Sequence, residues 1–246
     1  MSCYTWAMAE HRWVANGDVR VHYLDGAGSE PAVVFVPGFG ESADEYAWLA
    51  GSLAPRRTVI IDLRGRGRSD VPDKGYDLDD HLGDLDAVLT HAGVDRAHVA
   101  CYSRGTAYGL GWAIEHPARV ASVVVGDYLA HHPRIPPAYV ERFLASTWRG
   151  RPVTDRLSPV AAHGILREAT TVPYWERLGS IPAPVMVVHG MRPGALLTED
   201  GLARWRAHRP DVRTVAFEES GHDLFTPDRE RFVSTLSGFI AEVEGS

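Results

Sequence analysis

Short apolar runs and helix-length segments alternate along this chain. Asp18 to Leu24 (DVRVHYL) places an apolar residue at every second position, the pattern of a half-exposed edge strand. Ala32 to Val36, Thr58 to Ile61, His98 to Cys101, Val120 to Val125, Val185 to His189 and Arg213 to Phe217 are short and mostly apolar. Such runs suit strands buried on both faces. Between them the pattern predicts helices over Asp44 to Leu53, Leu78 to Ala92, Thr106 to His116, Glu199 to Arg209 and Pro227 to Val243. Strands alternating with helices imply an α/β fold with a mostly parallel, doubly wound sheet. Right-handed crossovers place the C-terminal strand ends along one edge, where ligands bind.

One stretch breaks the rhythm. Tyr128 to Ile181 has no clear strand, repeated prolines and scattered aromatics, and it is too long for a simple loop. It reads as a small helical insertion over the active edge. The expected organisation is one domain over 1–246, with a core of 1–127 and 182–246 and a cap of 128–181.

Composition narrows the function classes. The chain has 246 residues, 45% hydrophobic and 23% charged, as an ordinary globular protein has. A net charge of −7 gives no reason to expect nucleic acid or an anionic membrane as partner. No apolar run is long enough to span a bilayer, and Met1 to Arg12 lacks the basic and apolar regions of a secretory leader. A cytoplasmic location is expected. Cys3 and Cys101 form no disulfide framework; Cys101 ends a buried strand and should behave as a small hydrophobe.

The chemistry centres on Cys101-Tyr102-Ser103-Arg104-Gly105. A serine between a strand and a helix, with small residues two before and two after, has the layout of a nucleophile elbow. Gly105 fits that layout better than Cys101. A base is available in Glu219-Ser220-Gly221-His222-Asp223, on the loop between the last strand and the last helix. There His222 can take the Ser103 proton and return it to a leaving group. Val36-Pro37-Gly38-Phe39-Gly40 follows a strand, and its glycines let backbone N–H groups face a pocket. The Phe39 and Arg104 N–H groups are the expected oxyanion donors.

With these motifs in this order, the chain resembles the α/β-hydrolase superfamily, from about Val19 to Phe239. Asp62-Leu63-Arg64-Gly65-Arg66-Gly67-Arg68-Ser69-Asp70 is similar to that superfamily's D-x-R-G-x-G-x-S loop, whose job is mainly structural, so Asp62, Arg64 and Ser69 take no catalytic role. The resemblance implies the α/β-hydrolase fold, with the cap inserted after its sixth strand. The chain departs from the common pattern at the acid. That acid usually follows the strand that is here Val185 to His189, and Pro193 stands at its place. Glu199 and Asp200 follow Thr198 and look like first-turn helix acids. Some relatives, including certain lactone hydrolases, carry the acid one strand earlier, and Asp127 occupies that position. It would orient the imidazole and fix its tautomer. Asp223, adjacent to His222, should point elsewhere.

Other residues carry weaker signals. The Arg104 side chain is expected on the helix surface or paired to an acid, with a substrate carboxylate as the alternative. His131 and His132 lack metal-ligand spacing and should sit on the surface or in the cap; no metal or cofactor is expected. Tyr128, Phe143, Trp148 and Trp175 are candidate pocket residues. The expected function is a serine hydrolase cleaving a carboxylic ester or lactone of a small, partly apolar substrate through an acyl-enzyme. Serine at 103 argues against epoxide hydrolase or haloalkane dehalogenase chemistry, which on this fold uses an aspartate. A carbon–carbon, thioester or amide hydrolase, or a cyclase or ligand receptor on the same fold, are the alternatives. The expected partner is a small molecule; a homodimer is compatible with the sequence.

Overall fold

In chain order the first half of the protein lays down β1 (Glu10–Asn16), β2 (Val19–Gly26), β3 (Ser29–Val36), α1 (Trp48–Ser52), β4 (Arg56–Ile61), α2 (Leu78–His91), β5 (Ala97–Tyr102), α3 (Gly105–Glu115) and β6 (Val120–Gly126). The interval that broke the pattern holds β7 (His131–His132), α4 (Pro137–Leu144), β8 (Thr147–Trp148), β9 (Arg151–Pro152), α5 (Pro159–Glu168) and β10 (Val172–Pro173). Then come β11 (Val185–Gly190), α6 (Glu199–His208), β12 (Arg213–Phe217) and α7 (Arg229–Glu244). This computed structural model describes residues 9–245. Cys3 and most of the segment read for a leader lie outside the described residues. No described helix is long and apolar enough to cross a membrane.

Eight strands form one sheet in the order β1-β2-β4-β3-β5-β6-β11-β12. β1 and β2 pair antiparallel, as do β2 and β4; the other neighbours are parallel. β1 escapes the sequence reading because Glu10, His11 and Arg12 are exposed and polar, and only its pairing with β2 makes it a strand. β2 is accordingly not the edge its alternation suggests. β1 covers it, and Val21 to Gly26 are buried. By contrast, β5 is buried at every position and β6 likewise, as their unbroken apolar runs require.

The sheet carries an apolar layer on each face. On one, Leu85, Leu89, Tyr108 and Trp112 of α2 and α3 pack against Val34, Val99 and Val123. On the other, Phe232, Leu236 and Phe239 of α7 pack against Phe35, Val124 and Val188. Burying each such side chain fully is worth about 1.5–3 kcal/mol. A third cluster lies beyond the strand ends, where Val140, Val153, Leu157 and Ile165 close over Phe39 and Tyr76. Chain order reverses at β3, which lies between β4 and β5, so the connections after β3 and β5 diverge there. That divergence opens the crevice in which a ligand can bind.

The Asp62 to Asp70 loop has the structural role expected of it. Asp62 accepts bonds from the Ala43 and Arg68 N–H groups and contacts His22 Nδ1 at 2.6 Å. Ser69 Oγ ties Asp62 C=O to the His22 N–H, and Arg64 holds Asp84 in a two-pronged pair at 2.6 and 2.7 Å. At Gly67, where φ is +52°, a Cβ would lie 2.2 Å from the Asp62 carboxylate.

Candidate active site

Ser103 follows β5 in the left-handed region, at φ +52°. A non-glycine residue there costs about 1–3 kcal/mol unless its surroundings hold it. Its N–H donates to Gly126 C=O at 2.9 Å, and its C=O accepts from the Thr106 N–H at 3.0 Å. Gly105 is obligatory: a Cβ would lie 2.2 Å from the Val36 carbonyl oxygen. Cys101, the weak match in the elbow, is accommodated by Gly109 on the facing turn of α3. A Cβ on Gly109 would sit 2.1 Å from the Cys101 Sγ. Burial raises the thiol pKa well above its ordinary value, so Cys101 serves as a small apolar residue.

Three side chains from three strand ends meet. His222 Nε2 lies 2.9 Å from Ser103 Oγ, and His222 Nδ1 lies 2.7 Å from Asp127 Oδ2. Asp127 is fully buried at φ +47°, and its N–H donates to Val188 C=O. Its carboxylate accepts from the Leu196 N–H at 2.7 Å, the Leu197 N–H at 3.2 Å and, more loosely, the Gly190 N–H at 3.4 Å. The segment after β11, where Pro193 stands, thus supplies the donors that seat the Asp127 carboxylate. Tyr102 fixes the other side of His222: its hydroxyl donates to His222 C=O at 2.7 Å, and the rings stack at 5.1 Å. Thr198 caps α6, which leaves Glu199 and Asp200 as first-turn acids.

The glycine loop after β3 closes the site from the opposite side. A Cβ on Gly38 would lie 3.1 Å from Ser103 Cβ, so the loop passes directly against the serine. The Gly38 N–H donates to Glu41 Oε2 at 2.7 Å. The Phe39 and Arg104 N–H groups donate to no other described residue, and both residues border the cavity beside Ser103. They can serve an oxyanion.

Two chambers adjoin Ser103, of about 190 and 200 Å³. Phe39, Tyr139 and Leu196 border both. Tyr128 and Arg104 line the first, while Phe143, Trp148, Glu41 and His222 line the second. Three of the four aromatic candidates are therefore at the cleft. Trp175 is not: it is buried in the main core, edge-on to Trp205 at 5.6 Å, beneath Arg204. The reason is local, since Trp175 lies in the 3₁₀ turn that returns the chain towards β11 and packs there against α6.

A partly buried charge network beside His222 was not foreseen. β8 and β9 form a hairpin whose turn, Arg149-Gly150, has both residues at positive φ. It delivers Arg149 onto Asp223 in a two-pronged pair at 2.9 Å and within 3.3 Å of Glu41 Oε1. Trp148 Nε1 also donates to Glu41 Oε1 at 3.0 Å. Burial opposes the Arg149 charge, but Tyr46, Glu41 and Asp223 more than compensate, so its pKa is raised. Burial alone would raise Asp223; the Arg149 hydrogen bonds and charge outweigh it and hold that carboxyl below its usual range. Asp223 is thus spoken for, as expected. The Arg-Gly pair could have signalled a turn in the sequence, but not which residues that turn would meet.

Arg104 corrects the reading of the sequence, whereas His132 lies in the cap stretch as expected. The Arg104 side chain is buried, neither on the surface nor paired to an acid. Its Nε donates to the Tyr108 hydroxyl, Nη1 to Pro133 C=O and Nη2 to His132 Nε2. His132 is itself buried, with Nδ1 against Thr170 C=O at 2.7 Å. The carbonyl can only accept, so Nδ1 carries the proton and Nε2 is free to accept from Arg104. Burial and then the Arg104 charge lower the His132 pKa to about 4.

Comparison with known proteins agrees with this architecture. Over 267 aligned residues the chain is 28% identical to the provisionally named carbamate hydrolase RutD of Variovorax paradoxus, covering 91% of this chain and 97% of that one. It is 28% identical over 154 residues to the dihydrolipoyllysine-residue acetyltransferase component of the acetoin cleaving system of Cupriavidus necator. That match covers 61% of this chain and spans only 41% of the relative's length. Among solved structures, an esterase from Exiguobacterium antarcticum superposes with a TM-score of 0.77 at 19% identity, covering 94% of this chain and all of that one. The model of the alpha/beta hydrolase fold family matches residues 31–172. That span takes in the glycine loop, the elbow and Asp127, and the chain belongs to the alpha/beta hydrolase fold family.

Proposed function

We propose that this protein is a serine hydrolase that cleaves a carboxylic ester or lactone of a small, partly apolar substrate. The observation that carries the reading is the continuous relay from Ser103 through His222 to the buried Asp127, beside two free backbone donors. Ser103 Oγ attacks the carbonyl carbon while His222 Nε2 takes its proton. The carbonyl oxygen becomes an oxyanion between the Phe39 and Arg104 N–H groups. As the C–O bond breaks, His222 returns the proton to the leaving alkoxide. Water then attacks the acyl-enzyme, giving its proton to His222, and the acid leaves as Ser103 is reprotonated. Asp127 keeps the proton of the resting imidazole on Nδ1 and stabilises the imidazolium.

The leaving group belongs in the chamber that His222 borders, and the acyl group in the one beyond Arg104. A carbamate or amide carbonyl suits the same machinery, and the near full-length similarity to the provisionally named carbamate hydrolase of Variovorax paradoxus favours that second reading. A fluorophosphonate probe tests the activated serine. Labelling of the wild type that disappears in Ser103→Ala is expected; a folded wild type that takes no label overturns the proposal.

A further inference from the structure

Among the described residues, buried arginines are paired with acids, apart from two. Arg64 holds Asp84, Arg156 holds Glu45 and Arg209 meets Asp211. Arg104 and Arg66 are as deeply buried and, among the described residues, form no ion pair. They flank the Phe39 ring, each guanidinium carbon 5.8 Å from its centre. Arg66 bonds to Phe39 C=O, Arg64 C=O and His81 Nε2, and its Nη2 has no partner among the described residues. The Arg104 hydrogen bonds go to a hydroxyl, a carbonyl and a neutral imidazole, which engage three of its five N–H groups, and the Tyr128 hydroxyl also faces the guanidinium; none of these is an anion. An uncompensated buried charge is costly, so an anion that completes the site gains what the protein has already spent on desolvation.

The place for that anion is specific. Arg104 borders the chamber that adjoins Ser103 away from His222, and Arg134 borders it too, exposed and, among the described residues, without an ion pair. Tyr128, Ile135, Tyr139 and Leu196 make the rest of the wall largely apolar. At about 190 Å³ the chamber equals roughly six waters, enough for a short chain. The opposite chamber carries Glu41, which disfavours an anion there. We infer that the acyl group of the substrate is short and ends in a carboxylate, which Arg104 binds, making the substrate a half-ester of a short dicarboxylic acid. This rests on the hydrolase reading for the word ester; the anion site itself does not.

Two probes of equal length test it: the 4-nitrophenyl ester of pentanoic acid and the 4-nitrophenyl half-ester of glutaric acid. A hydrogen bond to a charged group is worth about 1.5–3 kcal/mol, so kcat/KM should favour the half-ester by about ten- to a hundredfold. Arg104→Met should reduce that ratio towards one, whatever it does to the rates themselves, and Arg104→Lys should restore part of it. Arg134→Gln, at an exposed position, keeps the test open if the Arg104 variants do not fold; it should lower the ratio by a smaller factor. Separately, calorimetry on Ser103→Ala should find glutarate binding at least tenfold tighter than pentanoate. Turnover of the neutral ester with no preference for the half-ester, or no tighter binding of glutarate, overturns the inference. If neither ester reacts yet glutarate binds and binding needs Arg104, the hydrolase reading fails and the anion site stands.

Discussion

Asp127→Asn separates the proposed triad from a merely structural carboxylate. The wild-type carboxylate faces four donors: His222 Nδ1–H, and the N–H groups of Leu196, Leu197 and Gly190. An asparagine offers one acceptor oxygen, and the two orientations fail differently. With the amide nitrogen at the Oδ2 position, it faces the Leu196 N–H and His222 Nδ1. The imidazole then accepts on Nδ1 and carries its proton on Nε2, where it can no longer receive the Ser103 proton. This tautomer trap is worth about 10⁴ in kcat in serine proteases, and a loss of about 10³–10⁴ corresponds to about 4–5.5 kcal/mol of barrier. With the amide reversed, the nitrogen faces the Leu197 and Gly190 N–H groups instead. Either way a buried N–H loses its acceptor, at a cost of about 1–3 kcal/mol in stability. The assay is kcat for an activated 4-nitrophenyl ester, with urea denaturation on the same samples. A folded variant that keeps more than a tenth of wild-type kcat would refute the assignment of Asp127.

Three further outcomes follow from the packing. The His132 pKa is lowered to about 4 by burial and the Arg104 charge, whereas the unfolded residue titrates near about 6.5. Between those values the unfolded chain binds the extra proton, so stability present above pH 6.5 is lost as pH falls towards 4, by up to about 3 kcal/mol. Urea midpoints at pH 7 and pH 5 should show this, and His132→Gln should flatten but not abolish the slope, because His81 is also held well below its usual range by burial and by Arg66. Arg149→Met leaves the buried Glu41 and the partly buried Asp223 without their cation and should cost about 1–3 kcal/mol in denaturation experiments, less than a fully buried pair because solvent reaches Arg149; an unchanged midpoint would remove the network from the account. Gly109→Ala should destabilise by about 1–3 kcal/mol through contact with Cys101, yet become neutral or stabilising in Cys101→Gly, since helix propensity favours alanine by about 1 kcal/mol. A double-mutant cycle with no coupling would sink the idea that Gly109 accommodates Cys101.

The sequence alone determined whatever depends on local pattern and chain order. Runs such as Val120 to Val125 are apolar at every position because both faces of an inner strand are covered, and that pattern survives without a structure. Ser103 and His222 were legible because an elbow and a base loop are short, contiguous motifs at strand ends. Asp127 came only through the family resemblance, which implies an acid after this strand in some relatives when, as at Pro193, the usual place holds none. Tertiary structure alone decided what long-range contact creates. β1 is a strand only through β2, and Trp175 entered the core rather than the pocket because α6 packs against it. Glu41, Arg149 and Asp223 are far apart in sequence, and nothing local announces that a hairpin turn will join them. Arg104 is the sharpest case. Its sequence neighbours suggested a surface or paired arginine, and only the fold of the segment from Pro133 to Thr170 buries it without an acid. Charge complementarity is a sum over neighbours in space, and one position in a string does not contain it.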